Sequence, residues 1–314
     1  MLSFVVRRLG FTFLTLLLAS MLVFAATQLL PGDVTTLMLG RFASDEAKAE
    51  VRRELGLDRS PIVQYGTWLG DYVRGDWGTS ITAMAVARPL VLERLRNSLM
   101  LAMAAYLVYL PLGILLGLIA AVRKDTLLDH AISVSSLAFI GLPEFVTAVA
   151  LIGVFSLYLD WLPAQSSIRF SDGFFEVLPM LILPAITISL VGLAHVIRMT
   201  RAGTITVLKQ DYVRTAALKG LGRRKLMMTH VLRNSLLPTV TIIALDVGWM
   251  VGGLIIVESV YSYPGLGRLL LFGIQHRDIP LIQATVMIMV IAVVVANTLA
   301  DIVYALLNPR IRYS

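Results

Sequence analysis

The sequence predicts an all-α, polytopic membrane protein that crosses the bilayer about six times with both ends in the cytoplasm. The first observation behind this is composition: 57 % of the 314 residues are hydrophobic and 15 % charged. Soluble domains have about 45–50 % and about 25 %. The mean hydropathy of +0.81 departs the same way. Second, the apolar residues gather in runs of about twenty, the length a helix needs to cross a hydrocarbon core of about 30 Å. Third, Lys and Arg favour alternate connecting segments.

Taken in order, the first run covers residues 9–30 and follows Arg7 and Arg8. It is long for a signal peptide and no small-x-small cleavage site follows, so it reads as an uncleaved first transmembrane helix. Residues 31–96 form a polar, extracytoplasmic segment. Within it, 44–55 reads as a helix: Ser44 can cap it, Asp45 and Glu46 suit its first turn, and Gly56 can end it. The aromatic and turn-rich part after it (Gln64, Tyr65, Trp68, Gly75, Asp76, Trp77, Gly78) has two readings. It either docks an external partner or caps a pore, or it is an interfacial segment with Trp and Tyr at headgroup level.

Five further spans follow at about 98–122, 131–159, 178–197, 237–257 and 281–307, within a core of residues 97–307, and 308–314 form a cytoplasmic tail. The 1–314 chain reads as a single membrane domain. Pro143 and Pro184 fall inside spans, where neighbouring helices can satisfy the freed backbone groups. Gly113/Gly117 and Gly248/Gly252 have the four-residue spacing that lets helices approach closely.

Orientation follows from charge. With the N-terminus inside, the cytoplasmic segments hold fifteen Lys and Arg, against Arg169, Arg268 and Arg277 in the two later outside loops. The first outside loop has nine basic and nine acidic residues and is neutral. This bias puts both ends inside. It also accounts for the net charge of +7 and the pI of about 9.8 without a nucleic-acid partner. The chain contains no cysteine, which excludes disulfides and thiolate metal sites.

The cytoplasmic stretch 199–236 is too polar for the bilayer and longer than the usual helix connection of about two to eight residues. Residues 211–221 read as a short helix in it, with Asp211 as N-cap, Ala216 and Ala217 in its body, Lys219 near its end and Gly220 closing it. So short a helix is not stable alone in water and must pack on something. The small alanines leave room for a partner's surface.

At this point the sequence resembles a family. Arg-Thr-Ala-Ala-Leu-Lys-Gly-Leu-Gly (214–222) followed by His-Val-Leu-Arg-Asn-Ser-Leu-Leu-Pro (230–238) is similar to the cytoplasmic coupling loop of binding-protein-dependent ABC importer permeases. The dipeptide/oligopeptide branch matches best, as the first of its two permease subunits. Arg214 stands where the general Glu-Ala-Ala-xxx-Gly pattern has Glu, a substitution usual in that branch. Leu-Pro-Gly-Asp (30–33), the Leu-Gly-Leu-Asp to Gly-Asp-Trp-Gly outside stretch and Asn-Pro-Arg-Ile-Arg-Tyr (308–313) extend the likeness over nearly the whole chain.

The resemblance implies a type I ABC importer permease architecture in a bacterial or archaeal plasma (inner) membrane. It implies a second homologous permease subunit, two cytoplasmic ABC ATPase subunits and an extracytoplasmic solute-binding protein as partners, besides membrane lipid. The ATPase-coupling residues would be Asp211, Tyr212, Arg214, Thr215, Ala216, Ala217, Lys219, Gly220 and Leu221. Arg214 and Lys219 would pair with acidic groups on the ATPase or serve only as topology charges. Cargo in this branch includes dipeptides, oligopeptides, glutathione, nickel chelates, opines and oligosaccharides.

The residues themselves agree that energy comes from other chains. A phosphate-cradling loop needs Gly-xxxx-Gly-Lys-Ser/Thr, and the chain has no Gly-Lys dipeptide. It is expected to be no enzyme, with no cofactor or metal of its own and with ATP and magnesium held by the partner ATPases. His130, His195, His230 and His276 are scattered, and His195 beside Arg198 reads as interfacial. Ionisable and polar groups within spans are pathway candidates because their burial is costly: Glu144, Asp246, Asn297 and Asp301. Helix–helix hydrogen bonding is the other reading, and for Asp301 nearness to the interface. The rival functions are an ion-gradient-driven secondary transporter, which should show inverted repeats, and an intramembrane enzyme, which needs catalytic groups at one depth.

Overall fold

The structure, a computed structural model, describes residues 2–29, 35, 44–54, 56, 58–168 and 173–307. Its helices are α1 (Leu2–Gln28), α2 (Asp45–Glu54), α3 (Pro61–Arg74), α4 (Ala87–Val122), α5 (Leu127–Gly141), α6 (Glu144–Leu151) and α7 (Phe174–Leu208). They continue with α8 (Asp211–Leu218), α9 (Arg223–Lys225), α10 (Arg233–Ser235), α11 (Leu237–Val260), α12 (Leu266–His276) and α13 (Ile279–Leu307). A π-helical segment, Ile152–Tyr158, extends α6, and another, Leu226–Leu232, joins α9 to α10. Strands β1 (Thr79–Ser80) and β2 (Ala85–Val86) pair antiparallel just before α4. The motif segments 30–33 and 308–313, together with Leu55 and Arg169, lie outside the described residues.

Among the described residues, four helices are long and apolar enough to cross a membrane: Val6–Gln28, Ala87–Val122, Phe175–Leu208 and Ile279–Ile302. A bent pair, α5 with α6 and its π-helical extension, makes five if it is one span. α11 is helical over 24 residues, Leu237–Val260.

The predicted span 131–159 is therefore not one helix. The chain turns by 106° between Gly141 and Glu144. Pro143 causes this. Its ring disfavours helical backbone in the residue before it, and Leu142 is accordingly extended (φ −87°, ψ 127°). Pro143 is extended as well and precedes the first turn of α6. Pro184 behaves differently, since α7 runs unbroken through Pro179 and Pro184. The N–H that Pro184 lacks would have bonded the Met180 carbonyl. The Ser166 hydroxyl donates to that carbonyl instead, at 2.6 Å. Ser166 is fully buried, so Ser166→Ala should leave the carbonyl unpaired and cost about 1–2 kcal/mol in thermal or denaturant unfolding.

Other helix ends also move. α1 begins before Arg7 and Arg8, and α4 starts at Ala87 rather than near 98. α7 continues to Leu208, so the first part of the expected 199–236 loop is helix. At 35 residues α7 is about 50 Å long and overhangs the apolar layer. Nothing in 199–208 breaks the ladder, and Thr200 and Thr204 are buried there. The helix predicted over 44–55 appears as α2. The Ser44 hydroxyl accepts from Ala47 N–H at 3.3 Å, and Gly56 follows at φ +64°.

The chain divides into two compact units. One consists of residues 99–263 with 1–5 and 296–314. Its core joins α4, α6, α7 and α11 through Leu101, Tyr109, Ala148, Ile188, Val196 and Val257, with Tyr261 and Tyr263 after α11. Tyr261 is a fully buried tie point. Its hydroxyl lies 2.8 Å from that of Thr187 and donates to the Ala148 carbonyl at 3.3 Å, while its own carbonyl accepts from Ser166 N–H.

In the same unit α4 meets α7 at Gly113 and Gly117. A Cβ on Gly113 would sit 2.7 Å from Val196 Cγ1, and one on Gly117 2.7 Å from Thr200 Cβ. This glycine pair is the close approach its spacing predicts. Gly248 and Gly252 are not: among the described residues nothing lies within 4 Å of a Cβ built on either. The glycine of α11 that meets a neighbour closely is Gly253, beside the Glu144 carboxylate.

The other unit consists of residues 6–98 and 264–295. Ala87 and Val91 of α4 pack with Leu266 and Leu269 of α12 and with Leu281 and Ile288 of α13. Asp278 fastens the hairpin: one oxygen accepts from the Ser80 hydroxyl (2.6 Å) and Thr82 N–H (2.9 Å). Its other oxygen takes Leu281 N–H (3.3 Å) in the first turn of α13. Phe24, Tyr65, Trp68, Tyr72 and Trp77 form a chain of ring contacts 5.1–5.9 Å apart, centroid to centroid. The rings of residues 65–77 pack on one another and on Phe24 of α1.

Candidate functional site

The coupling candidate is α8. Its entry residue is Gln210 (φ −75°, ψ 142°), which accepts Val213 and Arg214 N–H through its carbonyl. Asp211 is thus the first helical residue, not the predicted cap. A carboxylate still suits that place because the first turn exposes N–H groups. The helix stops at Leu218, so Lys219, Gly220 and Leu221 form its exit rather than its last turn. Gly220 has φ +79°, the left-handed conformation expected of a closing glycine, and Leu221 N–H reaches back to the Ala216 carbonyl.

Val213 and Ala216 are buried, three residues apart on one face. Ala216 therefore packs inward, which corrects the expectation that both alanines stay open to a partner. Tyr212 also turns towards its own chain. Its hydroxyl accepts from Asn234 Nδ2 at 2.9 Å, and the same amide donates to the His230 carbonyl at 3.1 Å. The Thr215 hydroxyl bonds the Asp211 carbonyl within the helix.

The outer face presents Arg214, Ala217, Leu218 and Lys219. Leu218 is 80 % exposed and was absent from the sequence-derived set. The alternation of Val213 and Ala216 with polar neighbours was the available signal, because it puts Leu218 on the opposite side.

The pathway candidates are dispersed. Glu144 opens α6 immediately after the Pro143 bend and is buried, with neither oxygen meeting a hydrogen-bond partner among the described residues. Its carboxylate would lie 2.7 Å from a Cβ on Gly253 of α11. Asp246 belongs to α11, but its side chain lies outside the described residues. Asn297 and Asp301 are half-buried, one turn apart on α13. His195, expected at the interface, is half-buried in α7. No group of three His, Cys, Asp or Glu residues that could hold a metal ion occurs among the described residues.

One polar feature escaped the sequence reading. Arg201, counted there only as a topology charge, forks onto Asp129: Nε to Oδ1 at 2.6 Å and Nη2 to Oδ2 at 2.7 Å. Asp129 is 2 % exposed and also accepts from Asp125 N–H (2.9 Å) and the Ser133 hydroxyl (3.3 Å). The pair ties α5 to the overhanging end of α7, which leads directly into α8. At its far side Gly203 touches the Ser235 carbonyl, so α7 also rests on α10.

The family described as binding-protein-dependent transport system inner membrane component matches residues 113–313. Its counterpart, the binding-protein-dependent transport system membrane component, N-terminal, matches residues 1–88. The oligopeptide transport system permease protein AppB of Bacillus subtilis is 35 % identical, covering 100 % of both chains. The dipeptide transport system permease protein DppB of Escherichia coli is 34 % identical, over 100 % of this chain and 99 % of its own. Among solved structures, the inward-facing MetNI methionine ABC transporter has a similar fold. Its TM-score is 0.50 at 16 % identity, covering 69 % of this chain and 94 % of that one. The chain belongs to the binding-protein-dependent transport system inner membrane component family, the permease subunits of ABC importers.

Proposed function

We propose that this permease subunit forms half of the translocation pathway of an ATP-driven importer of peptides in a bacterial inner membrane. It pairs with a second, homologous permease, two cytoplasmic ATPase subunits that hold ATP and magnesium, and an extracytoplasmic solute-binding protein. The chain is one membrane domain of about six spans with both ends cytoplasmic, and α8 is its coupling helix. Glu144, Asp246, Asn297 and Asp301 border the route or the surfaces that slide when it opens. Peptide cargo rests on the names of the full-length relatives, which are oligopeptide and dipeptide permeases.

The observation that carries the coupling role is the outward face of α8. A leucine 80 % exposed beside Ala217, within a polar segment, is a surface that water disfavours and a protein groove would cover. Arg214 and Lys219 flank it and suit acidic groups on the ATPase. Val213, Ala216 and Tyr212 hold the helix from behind. Closure of the ATPases on ATP then moves α8 together with α7 and α5 as a rigid body.

The test is Leu218→Glu with Ala217→Glu, and separately Gly220→Pro, since proline cannot adopt φ +79°. Membrane insertion and monomer stability of the first variant should match the wild type. Co-purification of the ATPase, or peptide-stimulated ATP hydrolysis, should fall at least tenfold. Normal coupled uptake by both variants would remove the role from α8. Uptake driven by a proton gradient without ATP would point to a secondary transporter instead.

A further inference from the structure

We infer that Arg88 and the crevice it lines hold an anionic glycerophospholipid, with the phosphate on the guanidinium and one acyl chain between α1, α3 and α13. The crevice has a volume of about 480 Å³. Phe13 and Leu17 of α1, Leu69 and Val73 of α3, and Met287 and Ile291 of α13 line it. All belong to the unit formed by residues 6–98 and 264–295.

Two of the three walls are helices long and apolar enough to cross a membrane, Val6–Gln28 and Ile279–Ile302. The third, α3, has 14 residues and a length of about 21 Å, short of a crossing. Phe13 is 68 % exposed and Val73 77 %, so the crevice is open along its side. Within a bilayer, acyl chains match such leucine-like surface. Tyr72 and Trp77 complete the lining, stacked with centroids 5.1 Å apart and planes 8° from parallel. Trp77 Nε1 already donates to the Tyr72 carbonyl at 3.2 Å. This aromatic wall is therefore preformed and asks nothing polar of an occupant.

Arg88 supplies the decisive observation. Among the described residues that line the crevice it alone is charged. It is exposed, and it makes no hydrogen bond or ion pair among the described residues. Its guanidinium lies over Gly75, with Nη1 2.7 Å from the place of a Cβ on that residue. An arginine beside membrane-facing apolar surface is costly unless an anion meets it. A phosphate does so with two parallel N–H bonds from the guanidinium.

The rest of the lining selects the headgroup. The cation of a zwitterionic headgroup would find no acidic counter-ion among the lining residues, whereas an anionic headgroup brings no cation to place. An occupant that satisfies both halves joins a phosphate to a hydrocarbon chain a few bonds away, which describes a glycerophospholipid. The inference goes beyond the transport role. It rests on the proposed topology for placing α3 and the start of α4 at the outer leaflet.

The test uses the full chain in its permease–ATPase complex, in phosphatidylcholine nanodiscs. These contain equal small fractions of phosphatidylglycerol or phosphatidylcholine that carries a diazirine in its acyl chain. After irradiation, lipid adducts are mapped by mass spectrometry. Phosphatidylglycerol should label residues 13–17, 69–73 and 287–291 about fivefold more than phosphatidylcholine does, the factor that one interfacial arginine contributes towards an anionic lipid. Elsewhere on the complex the two lipids should label alike. Arg88→Gln should bring the two lipids level at these segments with an unchanged size-exclusion profile, and Arg88→Lys should keep most of the preference. The comparison of lipids needs no variant and stands if Arg88→Gln fails to fold.

Equal labelling of these segments by the two lipids overturns the site, as does a preference that Arg88→Gln leaves in place. Adducts with neither lipid overturn it too, and cross-linking of Val73→Cys to the second permease would then make the crevice a subunit interface. ATP-driven peptide uptake by the same complex in liposomes tests the transport role separately, so either reading can fail without the other.

Discussion

Gly117→Val is expected to force α4 away from α7 and to lower the protein's stability in detergent by about 3 kcal/mol, while Gly248→Ala raises it by up to about 1 kcal/mol. The difference lies in what each new atom meets. A Cβ at Gly117 falls 2.7 Å from Thr200 Cβ and 2.8 Å from the Ile197 carbonyl oxygen. That carbonyl belongs to the hydrogen-bonded backbone of α7 and cannot rotate away. The neighbouring turn is equally tight, because Gly113 lies against Val196 and the Leu193 carbonyl. The two helices can separate only together. Overpacking of this kind costs about 1–3 kcal/mol, and the β-branched valine should reach the upper end.

Gly117→Ala should lose less, partly because alanine favours a helix over glycine by about 1 kcal/mol. Gly248 faces open space, so alanine there keeps that gain without a clash. Melting followed by size-exclusion fluorescence separates the cases. Equal melting temperatures for Gly117→Val and wild type would mean that α4 and α7 do not meet at this glycine.

Asp129→Ala should be the second severe variant, at about 3 kcal/mol. Removing one partner of a buried, forked ion pair strands the other charge, which usually costs about 3–5 kcal/mol. The Arg201 side chain is 29 % exposed and can partly reach water, so the lower end applies. Asp125 N–H and the Ser133 hydroxyl lose their acceptor as well. Asp129→Ala combined with Arg201→Met should lose less than the sum of the single variants, because no charge is then stranded. The double-mutant cycle should give a coupling of about 1–3 kcal/mol. Additive losses would show that the contact contributes nothing. A functional effect should accompany the structural one, since α8 follows α7 after Lys209 and Gln210 and the pair holds the end of α7 to α5. Peptide-stimulated ATP hydrolysis should fall more steeply than basal hydrolysis in Asp129→Asn, which keeps the shape and removes the charge.

Particular elements show where sequence reasoning reached. Ser44, Gly56 and Gly220 were legible as helix punctuation because each acts on backbone groups within a few residues of itself. The 214–222 and 230–238 motifs identified the family for the same reason: both lie within single short stretches. Pro143 and Pro184 looked alike in sequence and behave oppositely. One bends the chain by 106°, and the other stays inside α7 with the freed Met180 carbonyl taken by Ser166. The second outcome depends on a residue from another segment, which no local pattern reveals. The two Gly-xxx-Gly pairs were equally alike, yet only Gly113/Gly117 has a helix against it.

By itself, the sequence determined that this protein is helical and membrane-embedded, where its polar segments fall and to which family it belongs. Those properties follow from how short stretches of chain partition between water and hydrocarbon and close their own hydrogen bonds. Only the tertiary structure decided which glycines touch a neighbouring helix, that Arg201 grips Asp129, that Ala216 turns inward while Leu218 faces out, and that Arg88 lines an apolar crevice. Each of these depends on the register between segments distant in the chain, which side-chain packing sets and local sequence does not encode.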